Sequence, residues 1–188
     1  MFIPTRRECL FLMEQIQMPG HIRKHSLMVA EIALYLSRLL NRNSTRLNLE
    51  LVEAAALLHD IAKARSLHTG ENHSELGASM LLEWGFPPLA PIVREHVSLD
   101  LQSLRGPVTE SLVVNYADKR VKHDQVVTIE DRFHDLVERY GRTQDHRKWI
   151  LQKLDVYRAL EGKIFDHLAI SPSGVELMCL SVPGWPED

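Results

Sequence analysis

The stretch Glu53-Ala-Ala-Ala-Leu-Leu-His59-Asp60-Ile-Ala62 constrains this chain more than any other. Residues 54–58 are apolar on every side, so they predict a helix buried all round rather than one with a wet face. Such a helix needs a shell of other elements, and 188 residues suffice to build that shell as one domain. Yet the run ends in an imidazole and a carboxylate side by side. An unpaired buried carboxylate costs many kcal/mol, so Asp60 must meet a cation, take up a proton or open onto a cavity. A metal ion would satisfy His59 and Asp60 together. Adjacent helical positions lie about 100° apart, and an ion between them takes one ligand from each.

The pattern recurs. Leu112-Val-Val-Asn-Tyr-Ala-Asp118 is another apolar run closed by an acid, and His25 shares a helical stripe with Val29, Ala33, Leu36 and Leu40. His96 follows Ile92 and Val93 at i+4 and i+3, which sets it on an apolar face. Each piece has a bland reading: an inward histidine is a hydrogen-bonded core residue, and Asp118 beside Lys119 and Arg120 is a surface ion pair. Together they favour one shared cation, since bland burial would need several separate compensations. A His/Asp shell of nitrogen and oxygen suits Mn, Fe, Co, Zn or Mg, and the lack of clustered cysteine argues against structural zinc.

The remaining pattern is helical, and an all-α fold is expected. Thr5-x-x-Glu8 reads as a capping box for a short helix ended by Pro19-Gly20. Further helices are predicted over about 21–40, from the Asn48 cap through Ala62, then over about 74–84, 88–98 and 109–122. Thr128 and Thr143 cap two more, ending near Tyr140-Gly141 and His167. Residues 65–73 read as a polar loop. Pro172, Gly174, Pro183, Gly184 and Pro186 mark an irregular tail, in which 175–182 could form one short strand. The helix over 143–168 is expected to pack on the core, with support of a homodimer as the alternative.

Composition excludes several functions. A net charge of −3 leaves no basic field for a nucleic acid duplex. Cys9 and Cys179 cannot build a disulfide framework, and no segment is apolar enough to span a membrane. With no signal-peptide pattern at the N-terminus, a reducing cytoplasm is the expected compartment. The G-x-x-x-x-G-K, G-x-S-x-G and H-E-x-x-H motifs are all missing.

The ordered series His25, His59-Asp60 and Asp118 resembles the HD superfamily of metal-dependent phosphohydrolases. Leu57-Leu58-His59-Asp60-Ile61-Ala62-Lys63 is similar to the family's signature helix, where Gly often replaces Ala62, and Tyr116-Ala117-Asp118-Lys119 resembles the segment supplying its last ligand. The likeness covers about 20–125. It implies a compact multi-helix bundle of the HD type over 1–141, with a C-terminal helical extension and tail over 142–188. His73-Ser-Glu-Leu-Gly77-Ala78 and Arg94-Glu95-His96 resemble the extra histidines of the binuclear branch, which includes YqeK-type symmetrical diadenosine-tetraphosphate hydrolases. The GYP motif of cyclic-di-nucleotide phosphodiesterases is absent, which argues against that activity.

The resemblance implies a hydrolase that cleaves a phosphoester or phosphoanhydride of a small nucleotide-like substrate by attack of a metal-activated hydroxide. One or two divalent ions (Fe, Mn, Co or Mg) would serve it, two if His73 and His96 are ligands. Asp60 would bridge them, with His25, His59 and Asp118 completing one shell and His73 and His96 the other. Lys63, one turn after His59 and Asp60, would hold a phosphate oxygen, its bland reading being a solvated helix end. His68 would line the cleft with Arg65. Gly77 would admit a neighbouring helix closely. His21 reads as a helix-start histidine or a substrate contact. Arg23, Arg94 and Arg120 are open as phosphate contacts, while His123, His134, His146 and His167 read as solvated. A catalytically weak nucleotide-binding or regulatory module is the alternative function.

Overall fold

The computed structural model describes residues 2–43, 45–97, 99–166 and 168–182. His167, Pro183, Gly184 and Pro186 lie outside them. Among the described residues the fold is a helical bundle with one minimal hairpin.

Helix α1 (Arg6–Gln15) opens with the expected capping box: the Thr5 side chain accepts from the Glu8 amide while the Glu8 carboxylate accepts from the Thr5 amide. Helix α2 (Gly20–Arg42) is the long central rod, and α3 (Leu49–Leu58) begins at Asn48, whose side chain accepts from the Leu51 amide. Val52 and residues 54–58 are all buried, because α1, α2 and the later helices close around α3. Next come α4 (Lys63–Thr69), α5 (His73–Glu83), α6 (Leu89–Glu95) and α7 (Glu110–Asp118). The pairs α2/α3, α5/α6 and α2/α7 form the main packed interfaces, and α7 and α6 also lean on α3. Strands β1 (Val121–Lys122) and β2 (Gln125–Val126) pair antiparallel against α2. Helices α8 (Ile129–Tyr140) and α9 (Gln144–Phe165) pack on each other, and α9 rests on α7. Their caps are Thr128 and Thr143.

Four expectations are corrected. The third helix stops at Leu58 rather than Ala62, and residues 59–62 form successive turns. The segment read as a loop over 65–73 is largely taken up by the end of α4; only Ser66 of that helix is buried, so it offers no apolar stripe, and Gly70 ends it in the left-handed region at φ 75°. The helix expected over 109–122 ends at Asp118, where the chain turns into the hairpin. The proposed strand over 175–182 is instead a single helical turn, α10 (Val175–Met178). No helix among the described residues is long and apolar enough to cross a membrane. Both cysteines are free, Cys9 buried and Cys179 exposed.

Candidate metal centre

Two of the converging imidazoles are set by the same local device. His59 caps α3 and His96 caps α6. Each donates Nδ1–H to the carbonyl three residues back, Ala56 at 2.7 Å and Val93 at 2.6 Å, satisfying a carbonyl that the helix end would orphan. His25, in the second turn of α2, donates Nδ1–H to the His123 carbonyl at 3.0 Å. With Nδ1 committed to a carbonyl, each ring turns Nε2 to the interior, the atom it would offer to a metal. His73 is the first residue of α5, fixed by the Asn72 cap, and Asp118 is the last residue of α7.

These side chains meet at Asp60, which is 1% exposed. Its Oδ2 faces His59 Nε2 at 3.5 Å, while its Oδ1 faces His73 Nε2 at 3.3 Å and His96 Nε2 at 3.5 Å. On the Oδ2 side, Asp118 Oδ1 lies 3.0 Å from His25 Nε2 and 3.7 Å from His59 Nε2. On the Oδ1 side, the His73 and His96 Nε2 atoms stand 3.2 Å apart. Two clusters therefore share one carboxylate, His25–His59–Asp60 and Asp60–His73–His96.

The donor set fits divalent ions. Ligand atoms about 2.1 Å from an ion stand about 3.0 Å apart at right angles and about 3.4 Å apart at the tetrahedral angle, close to the separations of 3.0–3.7 Å found here. His59 Nε2 and Asp60 Oδ1 are buried without a hydrogen-bond partner, so the protein alone leaves them unsatisfied. Electrostatics agree. Burial pushes the Asp60 carboxyl up, but the His59 and Lys63 charges outweigh it and hold it well below the usual carboxylate range. Burial likewise opposes ionisation of Asp118, and the adjacent Lys119 and the His25 hydrogen bond overcome it. Burial lowers His73 to about 4, against the pull of Asp60, so its ring is neutral at pH 7.

Of the other sequence candidates, Lys63 is drawn in: its Nζ donates to Asp60 Oδ2 at 2.7 Å. It opens α4 rather than ending a helix, where the macrodipole disfavours a cation, so the pairing with Asp60 accounts for its place. His21 lines the cleft mouth beside Lys63 and His25. Gly77 lies against α6, where a Cβ would meet Val93 Cγ1 at 3.2 Å. His68 is exposed on α4 and is not among the side chains meeting at Asp60. Arg94 pairs with Glu75 at 2.9 Å. Arg120 is fully buried, donating to the Val127 and Pro172 carbonyls and the Tyr116 hydroxyl, which makes it a structural clasp rather than a phosphate contact.

Sequence reasoning missed three contributors. His123 stands in the hairpin turn at φ 60°, its carbonyl orienting His25 and its ring accepting from Arg139 at 2.9 Å. Arg132 and Arg139 both bond Asp135, at 3.0 Å each, and line the cleft mouth with Lys63. Their signal was the charge spacing of Arg132 and Arg139 at i−3 and i+4 about Asp135, which sets all three on one face of α8.

Comparison with known proteins agrees with this geometry. The sequence model for the HD domain matches residues 22–160. The chain is 28% identical over 144 residues to an uncharacterized protein of Methanocaldococcus jannaschii, covering 70% of this chain and 84% of that one. It is also 29% identical over 144 residues to a tRNA (cytidine(56)-2′-O)-methyltransferase of Thermoplasma volcanium, covering 66% of this chain but only 40% of the relative. No solved structure matches. The match spans most of the chain and includes every residue that converges on Asp60, and the protein belongs to the HD domain family, whose members are generally metal-dependent hydrolases.

Proposed function

We propose that the chain hydrolyses a phosphoester or phosphoanhydride of a small nucleotide-like substrate, with two divalent ions held about Asp60. The observation that carries this reading is the division of the Asp60 carboxylate, one oxygen toward His59 and the other toward His73 and His96. His25, His59 and Asp118 would hold one ion with Asp60, and His73 and His96 the other. When bound, such ions supply Lewis acidity to a phosphoryl oxygen and lower the pKa of a water toward neutrality.

The chain's own groups supply the rest. The Nδ1–H bonds of His25, His59 and His96 fix the rings before any ligand arrives, so little reorganisation is needed. Lys63 and Arg139 sit at the mouth as cations suited to a phosphate's oxygens, with His21 beside them. Lys63 is part-exposed at its tip while bonded to Asp60, so it can touch both the cluster and an incoming anion. The His59, Asp60 and His96 side chains are almost wholly buried, which strengthens the charge interactions among them.

The test is elemental analysis with hydrolysis assays over nucleoside monophosphates and dinucleoside polyphosphates. The purified protein is expected to hold close to two transition-metal ions per chain, and Asp60→Asn to lose the ions and about 10²- to 10³-fold or more in rate, the scale on which losing a single electrostatic stabiliser is felt. His73→Ala is expected to lose one ion selectively. Full metal-dependent activity in Asp60→Asn would sink the proposal. Bound metal without turnover on any substrate would favour the regulatory alternative.

A further inference from the structure

Beside the metal cleft, between α8 and α9, lies a second cavity of about 280 Å³. Its walls include Phe133, Tyr140, Trp149 and Tyr157, with Leu136 and Ile150 between them. Phe133 and Tyr157 are buried, their ring centroids 5.3 Å apart, while Tyr140 and Trp149 are 52% and 53% exposed at the opening. Large aromatic groups left facing water around an open hole mark a binding surface more often than chance exposure.

Two observations join this cavity to the metal cleft. Tyr140 lines both. Lys119 also lines the cavity; its ammonium bonds the Asp118 carboxylate and lies 5.5 Å from the centroid of the Tyr157 ring. On α9, Lys153 places its ammonium 5.7 Å from the Trp149 ring centroid. The cavity is thus aromatic on its faces, cationic at its edges and one side chain away from a candidate metal ligand.

We propose that this cavity is the subsite for a planar heteroaromatic ring of the nucleobase class, carried by a substrate whose phosphate lies at Asp60. The inference rests on the phosphohydrolase reading above and adds where the non-reacting part of the substrate binds. Aromatic walls grip the face of any base, while the Lys119 ammonium is held by the Asp118 carboxylate and Lys153 Nζ donates to the Leu99 carbonyl at 2.9 Å. The Tyr157 hydroxyl is already spent on Asn115 Oδ1 at 2.6 Å, leaving the floor without a free hydroxyl to read base edges. The subsite therefore selects for a ring over no ring. Continuity with the cleft through Tyr140 and Lys119 assigns the cavity to substrate rather than to a second copy of the chain.

The test is calorimetric binding of adenosine, adenosine 5′-monophosphate and ribose 5-phosphate to the full-length protein, with Trp149→Ala to remove a wall and Leu136→Trp to fill the cavity. Adenosine 5′-monophosphate is expected to bind the wild type on the order of 10- to 100-fold more tightly than ribose 5-phosphate, the range that one stacked base supplies. Both variants are expected to bring the two affinities close together. Trp149 is exposed, so its variant should fold even if the filled cavity does not. Equal affinities in the wild type, or a ring preference that survives Trp149→Ala, overturn the subsite; retained phosphoester hydrolysis then leaves the phosphohydrolase reading standing. Trp149-dependent binding of adenosine in a protein that hydrolyses no phosphoester leaves the ring site in place and removes the hydrolase. A dimer that Trp149→Ala dissociates, without any ring preference, assigns the face to a second copy and overturns the proposal.

Discussion

Arg120 shows what a single residue can hold in place. Among the described residues it is the largest fully buried side chain, only two positions from Asp118, and its guanidinium ties the hydroxyl of Tyr116 in α7 to the carbonyls of Val127 and Pro172. Glu161 of α9 accepts from the same hydroxyl at 2.6 Å and lies 3.5 Å from the guanidinium. Removing one partner of such a buried set leaves the others uncompensated, at about 3–5 kcal/mol. Arg120→Leu is therefore expected to lose about that much stability in urea denaturation, and to expose residues 168–182 to proteases in the folded state. The cysteines give a second residue-scale prediction. Burial first, then the nearby Glu53 and Glu8 charges, push the Cys9 thiol up to about 12, whereas Cys179 is exposed. A maleimide should label one thiol in the native protein, Cys179, and reach Cys9 only after denaturant is added.

At the scale of elements, the second half of the site depends on how closely α5 and α6 approach. His73 opens one helix, His96 closes the other, and Gly77 faces the seam with little room to spare: a Cβ would meet Val93 Cγ1 at 3.2 Å and Ile61 Cγ2 at 3.4 Å. Gly77→Val overpacks this seam, with an expected cost of about 1–3 kcal/mol. On the two-ion reading proposed above, it should also move His73 away from Asp60 and release one ion per chain by elemental analysis while the His25 half keeps its own. A destabilised variant that still carried both ions would show that α5 yields elsewhere. The same elements explain what could be read from the sequence. Asn48, Thr128 and Thr143 announce helix starts through their own side chains, and the apolar run of α3 announces burial. The end of α3 carries no Gly or Pro; the His59 imidazole caps it by bonding the Ala56 carbonyl, and the apolar pattern continues in sequence to Ala62 past the true helix end. Helix α4 buries too little to show a period. His123 acts through its carbonyl, a group every residue has, so nothing in its side chain pointed to the site.

Across the whole molecule, the bundle converges α2, α5, α7 and the ends of α3 and α6 on a centre that it cannot satisfy by itself, since His59 Nε2 and Asp60 Oδ1 remain unpartnered. An ion that binds only the folded chain stabilises it by about 2.7 kcal/mol at a hundredfold excess over its Kd. At about 2–4 °C per kcal/mol for a chain of this size, a chelator should lower the melting temperature by roughly 5–11 °C, and adding Mn or Co back should restore it. Acid acts on the metal-free fold with a definite sign. His73 has a folded pKa of about 4, below its ordinary 6.5, so its contribution is complete above about pH 6.5 and is lost as pH falls toward 4. Asp60 and Asp118, also held low, lose theirs further down in the same direction. Melting curves of chelator-treated protein should therefore be level near neutrality and fall between about pH 6.5 and 4. Ion binding requires unprotonated imidazoles, so the metal-loaded protein should fall more steeply over this range as the ions leave. A metal-free protein that gained stability on acidification would mean that protonated imidazoles and carboxylates satisfy one another in this cluster, and that no cation is needed to close it.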